Sequence, residues 1–556
     1  MSEVKTTKKE PTAVKQTTRK TTTKSTTVKK TTAKTTTEKK TTPKKSTTKA
    51  TTTKKTVKKA PVEVVKKEKP IPVLMENEGT VSAKTKILFV ASEASPFIAT
   101  GGLADVIGSL PQALAQDPSY DIRVVLPLYS DMKPEQRRKL SFMGNIFTPL
   151  AWRNQYCGVF TCEENGVVFY FIDNEYYFKR PGCYGYYDDG ERFAFFSRSV
   201  MEILPFIGFY PEVLHCHDWQ AALAAIYLKT VYKDRPEYQN IRATFTIHNI
   251  EYQGKYSLDL LEELFGISNE YMHFLEYNGC LNLMKGAIEV SEQFSTVSPT
   301  YAREIMTAQY AHGLDPIICR NEGKLTGILN GIDVNSYNCE TDSALFANYS
   351  AEDFSGKAVC KRELQKMLGL PEKDVPMIAM ITRLVSHKGL ELVKCAIENI
   401  LHEDLQFVLL GTGDSAYENY FKDLAIRYEG KVSANIAFNG DLSRKIYSGA
   451  DIFLMPSISE PCGLSQMIAS RYATIPVVRE TGGLYDSIKP YGAGGNGFTF
   501  ASCNPYDMLY VIHEAIDLYN NKPAWTELMK KALATDFSWS YSANEYKKLY
   551  DKTLGR

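Results

Sequence analysis

The first 70 residues of the chain contain no aromatic residue, and their larger apolar side chains are a few valines and the initial methionine. A segment of this composition cannot bury enough apolar surface to offset the conformational entropy that a chain loses on ordering. Lysine and threonine dominate it instead. We therefore predict that residues 1–83 form a disordered, Lys/Thr-rich tail.

The chain also lacks the features of a secreted or membrane-bound protein. Residues 1–20 have no apolar central stretch of the kind found in secretory signals, and no apolar run is long enough to span a membrane. The 11 cysteines are odd in number and show no CxxC pair or metal-ligand spacing. The sequence thus predicts a cytoplasmic protein with reduced thiols and no membrane contact.

The chain as a whole has a net charge of only +2, but this value averages a basic N-terminal segment and an acidic remainder. Residues 1–70 carry 22 Lys and Arg against 5 Asp and Glu, whereas residues 71–556 carry 44 against 59. The acidic body is a poor candidate for broad nucleic-acid binding. Two interpretations of the tail stay open: a solvated linker, or an electrostatic tether to a polyanion.

Short β-rich runs alternate with helical patterns along the acidic body. A first set begins at KTKILFVASE, and a second set begins at VPMIAMITRL. Such alternation favours parallel sheets covered by helices on both faces, and 556 residues exceed the size of one core. We predict an α/β protein with two doubly wound Rossmann-like domains, residues 84–335 and 336–525, that face each other across a cleft.

One glycine-rich turn occurs twice. Residues 100–105 read TGGLAD and residues 481–486 read TGGLYD, one copy in each predicted domain. Paired glycines allow a backbone to approach a ligand closely, and a following helix N-terminus favours an anion. The two turns could therefore close on one substrate from opposite sides; ordinary strand-to-helix turns are the alternative.

Charged side chains follow the strands predicted in the second half. Glu460 stands beyond one strand, where a carboxylate can hold the hydroxyls of a sugar or ribose, although a helix-capping role is the alternative. Arg383 and Lys388 follow another strand and could hold a diphosphate, unless they are ordinary surface charges. The GTG loop at residues 411–413 is a further strand-to-loop junction.

Histidines mark two strand ends in the first half. The run HCHDW contains His215, His217 and Asp218, and the run TIHN contains His248. A zinc site is conceivable, but no further ligands converge in the sequence, and a hydrogen-bonded core histidine is the common alternative. Cys462 has no histidine partner nearby in sequence, so a packed thiol is favoured over a nucleophile.

Nine motifs occur in an order that resembles the bacterial-type glycogen synthases and the plant starch synthases. The likeness runs from about residue 84 to residue 549, and the motifs read SEASPFIATGGLADVIGSLPQAL, HCHDW, TIHNIEYQG, STVSPTYAREI, GILNGID, ITRLVSHKGL, SEPCGLSQM, RETGGLYDSI and DFSWSYSANEYKKLY. The resemblance implies the GT-B architecture, with residues 526–556 forming a C-terminal helix that packs back on the first domain.

The resemblance also implies an activity. Glucose would pass from ADP-glucose to the non-reducing-end 4-hydroxyl of an α-1,4-glucan such as glycogen, with retention by front-face attack and without a covalent enzyme intermediate. No metal or cofactor is expected. The alternatives are a glucosyltransferase that uses UDP-glucose or another acceptor, and a catalytically weak glucan-binding or scaffold protein.

Site residues carried over by motif fall into three groups, with Phe438 matching the aromatic position that stacks on adenine. The implied catalytic residues are His248, Asp218, Arg383, Lys388 and Glu460. The implied donor-binding residues are Thr100, Gly101, Gly102, Asn330, Gly411, Thr412, Phe438, Cys462, Gly463, Leu464, Thr481, Gly482 and Gly483. The implied acceptor-binding residues are Tyr184 and Asp105.

One departure concerns the donor phosphates. The family usually has lysine immediately before the first TGGL, where this chain has Ala99. One cation that would contact the phosphates is therefore missing, which bears on rate and donor affinity more than on the fold.

Overall fold

The structure, a computed structural model, describes residues 84–556. The predicted disordered tail and its suggested contact with a polyanion lie outside the described residues. Within residues 84–556, the chain forms two α/β lobes, each built on its own largely parallel sheet.

The first lobe contains twelve strands within the described range. They are β1 (Thr85–Val90), β2 (Tyr120–Pro127), β3 (Ser141–Leu150), β4 (Arg153–Glu164), β5 (Val167–Asp173), β6 (Val213–His217), β7 (Arg242–Ile247), β8 (Lys255–Tyr256), β9 (Glu276–Tyr277), β10 (Cys280–Asn282), β11 (Gln293–Thr296) and β12 (Leu325–Gly327). Nine of them form one sheet in the order β12-β11-β7-β6-β1-β2-β5-β4-β3, and β8, β9 and β10 form a small separate sheet.

The chain order in the large sheet explains where a ligand can bind. Seven neighbouring strands from β12 to β5 run parallel, and β4 and β3 add an antiparallel edge. After β1 the chain builds one side of the sheet and then returns to place β6 on the other side of β1. Ligands bind at such switch points, beyond the carboxyl ends of the strands.

Helices cover both faces of this sheet. They are α1 (Gly102–Ala115), α2 (Pro134–Arg137), α3 (Glu175–Phe178), α4 (Asp189–Ile207), α5 (Asp218–Lys229), α6 (Leu260–Glu263), α7 (Met272–Leu275), α8 (Leu283–Val290), α9 (Pro299–Glu304) and α10 (Asp315–Arg320). Side chains of β1 alternate between the two core layers, with Leu88 and Val90 on one face and Ile87 and Phe89 on the other.

The second lobe repeats the design with six parallel strands. They are β13 (Met377–Ile381), β14 (Gln406–Leu410), β15 (Val432–Asn435), β16 (Ile452–Met455), β17 (Ile475–Arg479) and β18 (Phe498–Phe500), in the order β15-β14-β13-β16-β17-β18. Its switch point lies between β13 and β16, so the loops that follow these two strands should hold the ligand.

The remaining helices follow in chain order. They are α11 (Ser355–Met367), α12 (Leu390–His402), α13 (Ser415–Arg427), α14 (Gly440–Gly449), α15 (Ser465–Arg471), α16 (Gly482–Ser487), α17 (Pro505–Asn520), α18 (Lys522–Ala534) and α19 (Trp539–Leu554). No helix between residues 84 and 556 is both long and apolar enough to cross a membrane.

The C-terminal helix α19 lies on the first lobe. Its buried side chains Trp539, Tyr546 and Tyr550 join the core layer that contains Ile87 and Phe89. The boundary expected at residue 526 is wrong, because it falls inside α18, which packs on α15, α17 and β17 of the second lobe. The chain returns to the first lobe only after Ala534. Helical periodicity runs through both helices and so cannot locate the crossing.

The outgoing and returning chain segments touch where they pass between the lobes. Ile332 N donates to Phe537 O at 2.8 Å. Gly331 lies so close to the start of α19 that an added Cβ would meet the carbonyl carbon and oxygen of Ser538 at 2.8 Å. The two crossings therefore form one backbone-to-backbone joint that has no room for a side chain.

We expect Gly331→Ala to destabilise the protein by about 1–3 kcal/mol, because the new methyl group must displace backbone rather than a flexible side chain. Thermal and denaturant unfolding would measure the change. Gly323→Ala is the matched control, since a Cβ at Gly323 meets nothing within 4 Å. Equal stability of the two variants would contradict a tight joint.

Candidate active site

A partly buried ion pair occupies the switch point of the second sheet. Lys388, in the loop after β13, places Nζ 2.6 Å from Oε2 of Glu460, in the loop after β16. Ser457 Oγ donates to the same Oε2 at 2.9 Å. Glu460 is 6 % exposed. Both polar contacts use Oε2, which leaves Oε1 to accept hydrogen bonds from a ligand.

Glycines allow these strand-end loops to stack on one another. A Cβ on Gly389 would lie 1.9 Å from the carbonyl oxygen of Pro456, and one on Gly411 would lie 1.9 Å from that of Thr382. Leu384 N also donates to Thr412 O at 2.9 Å. The loop after β13 is therefore held on both sides by backbone. Packing alone therefore requires glycine at position 411, independently of any role in donor binding.

The second TGGL turn is buried and packs on the Glu460 loop. Gly482 has φ 45°, and its Cβ would lie 2.0 Å from Glu460 O, while a Cβ on Gly483 would lie 2.2 Å from Cys462 O. Gly483 N donates to Glu460 O at 3.2 Å. These glycines allow two loops of the protein itself to pack in close backbone contact.

The two TGGL turns are not equivalent. In the second, Thr481 Oγ1 and Gly482 N already donate to Oε1 of Glu304 at 2.8 and 3.0 Å. In the first, Gly101 and Gly102 are exposed at the start of α1, and added Cβ atoms would meet nothing nearer than 3.8 Å. Only the first turn leaves its backbone open to a ligand. The two turns differ in exposure because different residues of the folded protein surround them, although their own sequences are nearly the same.

Glu93 is hydrogen-bonded to the first TGGL turn, although no motif assigned it a role. It is 4 % exposed, and its Oε2 accepts hydrogen bonds from Thr100 N at 2.5 Å and Thr100 Oγ1 at 2.8 Å. Burial raises the pKa of Glu93 to about 7, against the opposing effect of the Thr100 hydrogen bonds. The sequence feature that could have pointed to Glu93 is its position in the run SEASPF, directly after β1.

At the end of β6, Asp218 organises the neighbouring strand end. Its backbone has φ 56°, an uncommon conformation that aspartate tolerates better than most residues. Its Oδ1 accepts a hydrogen bond from His248 N at 2.7 Å. Burial raises the pKa of Asp218 to about 7 and lowers that of His248 to about 3. The His248 ring is therefore neutral at neutral pH.

The other two histidines are packed in the core. His215 is fully buried, with Nδ1 3.0 Å from Tyr550 Oη and Nε2 2.7 Å from Thr246 Oγ1. His217 Nδ1 lies 3.0 Å from His248 Nε2. Both ring nitrogens of His215 are engaged, which disfavours the zinc alternative. No cluster of three or more His, Cys, Asp or Glu that could hold a metal ion occurs among residues 84–556.

The remaining predicted site residues occupy different environments. Phe438 is 93 % exposed, and Thr412 is also exposed. Tyr184 Oη lies 2.7 Å from Ser92 Oγ, next to Glu93, whereas Asp105 is exposed and accepts a long 3.4 Å hydrogen bond from Ser95 Oγ. Burial raises the pKa of the Cys462 thiol to about 12, as expected of a packed thiol and not of a nucleophile.

Residues of the two lobes meet at this site. An added Cβ on Gly102 would lie 3.8 Å from Leu464 Cδ1, so the first TGGL turn faces the loop that carries Glu460. Asn330, between the lobes, is 5 % exposed, and its side-chain oxygen finds no partner among the described residues. Arg383 is exposed and pairs with no acidic side chain of residues 84–556. The second lobe thus offers an uncompensated cation beside a paired one.

Comparisons with known proteins agree with this arrangement. Residues 86–320 match the family described as starch synthase catalytic domain, and residues 361–531 match glycosyl transferases group 1. The chain is 48% identical to a glycogen synthase of Geobacillus thermodenitrificans, over 84% of this chain and 98% of the relative. It is also 48% identical to one of Desulforamulus reducens, over 84% and 99%.

A solved structure is similar over most of this chain. It is the catalytic domain of starch synthase IV from Arabidopsis thaliana bound to ADP and acarbose, with a TM-score of 0.80 and 34% identity over 85% of this chain and 100% of that one. The predicted family, the two-lobed GT-B fold and the glycosyltransferase class are confirmed. The chain belongs to the family of glycogen synthases and starch synthases, which are glycosyltransferases.

Proposed function

We propose that this glycogen synthase homologue transfers glucose from ADP-glucose to the non-reducing-end 4-hydroxyl of an α-1,4-glucan, with retention of configuration. The single observation that carries the proposal is the pairing of Lys388 with Glu460 at the switch point, beside the uncompensated Arg383. The solved starch synthase IV domain, bound to ADP and acarbose, supports a nucleotide-sugar donor and a glucan acceptor.

The second lobe would supply the charge that a departing diphosphate needs. Arg383 can grip phosphate oxygens with two parallel hydrogen bonds, and Lys388 adds a point charge. Oε2 of Glu460 holds the lysine, so its Oε1 remains for the hydroxyls of the donor glucose. Preorganised cations of this kind stabilise the leaving group as its negative charge develops.

The first lobe would face the developing positive charge on the anomeric carbon. A protonated imidazole there would oppose the reaction. Burial lowers the pKa of His248 to about 3, so its ring stays neutral, and Asp218 fixes the His248 backbone through a hydrogen bond. The His248 carbonyl can then face the reacting carbon. The acceptor hydroxyl attacks on the same side as the leaving ADP and passes its proton to the departing phosphate oxygen as the bond between the anomeric carbon and that oxygen breaks.

The direct test is incorporation of glucose into glycogen by the purified protein, with ADP-glucose and UDP-glucose in parallel. Transfer from ADP-glucose alone is the expected result. Transfer from UDP-glucose alone would correct the donor. A folded protein that transfers from neither would overturn the proposal and leave glucan binding as the remaining role.

We expect Phe438→Ala to raise the KM for ADP-glucose about tenfold with little change in kcat, because base stacking is made equally in the ground and transition states. Initial rates against donor concentration would measure this. Tyr506→Ala, at another exposed aromatic residue, is the control. An unchanged KM would exclude Phe438 from the adenine site.

Arg383→Ala should lower kcat about 10²–10³-fold without changing the melting temperature. The side chain has no acidic partner within residues 84–556, so its removal leaves no buried charge unpaired. Steady-state kinetics and thermal unfolding measure the two effects. The control is Arg362→Ala, at an exposed arginine on α11. A variant with normal kcat would show that leaving-group stabilisation does not need Arg383.

Ala99→Lys should raise kcat/KM for ADP-glucose about tenfold, the value of one charge-assisted hydrogen bond to a phosphate. Ala99 is exposed and precedes Thr100, so a longer side chain can extend from the first turn without displacing core residues. Ala99→Met has similar length without charge and should leave kcat/KM unchanged. Equal effects of the two variants would argue against a missing phosphate contact.

A further inference from the structure

The motif STVSPTYAREI has no part in the proposed chemistry, yet its helix α9 makes direct contacts with α16 of the other lobe. Thr300 N and Thr300 Oγ1 each donate to the Asp486 carboxylate at 2.7 Å. At the other end of α9, Oε1 of Glu304 accepts from Thr481 Oγ1 at 2.8 Å and Gly482 N at 3.0 Å. At its N-terminal end, each short helix therefore donates one backbone amide and one threonine hydroxyl to a carboxylate of the other helix.

We call this set of contacts the clasp: Thr300 and Glu304 from the first lobe, with Thr481, Gly482 and Asp486 from the second. The geometry is reciprocal, and every carboxylate contact crosses from one lobe to the other. Thr481 is fully buried, and Glu304 is partly buried. A charge-assisted hydrogen bond in such surroundings is shorter and stronger than a neutral one.

The second-lobe side of the clasp continues directly to Glu460. Gly482, which donates to Glu304, lies where its Cβ would come within 2.0 Å of Glu460 O. A third contact comes from the residue before α9, because Ser298 Oγ donates to Pro461 O at 2.6 Å. The loop that carries Glu460 is thus held from both ends of α9.

The first-lobe side of the clasp continues to His248. Tyr301, in the middle of α9, is 1 % exposed, and its hydroxyl accepts a hydrogen bond from Ile250 N at 3.2 Å. Ile250 is two residues beyond His248 in the loop that follows β7. One turn and a half of helix therefore contacts both the loop of His248 and the loop of Glu460.

We infer that Glu304 and Asp486 are positioning residues for the proposed transfer reaction: through α9 they set the spacing between the donor-side Glu460 and the acceptor-side His248. Neither carboxylate touches a reacting atom in this role. The inference rests on the proposed function for its kinetic readout. Reactions that depend on two held groups lose rate steeply when the spacing changes by a fraction of an ångström.

Glu304→Ala removes the acceptor for Thr481 and Gly482 and should lower kcat about 10- to 100-fold, with the KM for donor and the Kd for ADP changed by no more than about threefold. Glu304→Gln keeps an oxygen at the Oε1 position and should retain most of kcat. Glu322→Ala, at an exposed glutamate of the same lobe, is the matched control. Steady-state kinetics and calorimetric titration of ADP supply the readouts.

A double-mutant cycle tests whether the two carboxylates act together. If both ends of the clasp hold one spacing, the loss in Glu304→Ala/Asp486→Ala should be clearly smaller than the product of the separate losses. Full kcat in Glu304→Ala would overturn the inference. So would a loss of kcat with equal losses of ADP affinity and melting temperature, since that pattern indicates general damage to the fold.

A readout independent of activity separates this inference from the proposed function. In Glu304→Ala, hydrogen exchange should become at least about tenfold faster at the amides of residues 460–464 and 481–484. The Glu322→Ala control should exchange as the wild type does. If the wild type transferred no glucose while this exchange effect appeared, the proposed function would fail and the clasp would stand; unchanged exchange in Glu304→Ala would overturn the clasp.

Discussion

The active site depends on the approach of backbone to backbone at the carboxyl ends of the second sheet. The loops after β13, β16 and β17 touch at glycines, with added Cβ atoms at Gly389 and Gly482 falling 1.9 and 2.0 Å from neighbouring carbonyl oxygens. Only residues without a Cβ allow three loops to share this space. Their close packing brings Lys388 and Glu460 to 2.6 Å although 72 residues separate them in sequence.

Burial then decides the charges that the site presents. The carboxyl groups of Glu93 and Asp218 have pKa values raised to about 7, and His248 has one lowered to about 3, in each case chiefly because burial disfavours the charged form. The Lys388 ammonium is held in an ion pair with Glu460, and Arg383, exposed and without an acidic partner among residues 84–556, is a second cation in the same loop. A site of this kind suits a reaction in which an anion leaves and a positive charge develops on carbon.

Much of the fold could be predicted from the sequence, because buried parallel strands and their following loops leave a repeated pattern. The switch-point residues Arg383, Lys388 and Glu460 were found in this way. Glu93 and Glu304 were not, since their roles depend on which backbone amides they meet after folding. Glu304 lies 178 residues from the amide of Gly482 to which it binds, and no local pattern records that distance.

The repeated TGGL motif shows most clearly why like sequences can differ in role. Each copy follows a strand and begins a helix, so local physics makes the same turn twice. The first turn donates a hydrogen bond to Glu93 of its own lobe, and its glycines are exposed. The second turn donates to Glu304 of the other lobe and is buried. Because the Gly482 amide already donates to Glu304 and the Gly483 amide to Glu460 O, the second turn can no longer offer these amides freely to a ligand. It does, however, connect the lobes, so the same motif leaves an exposed backbone in one lobe and makes a structural contact in the other.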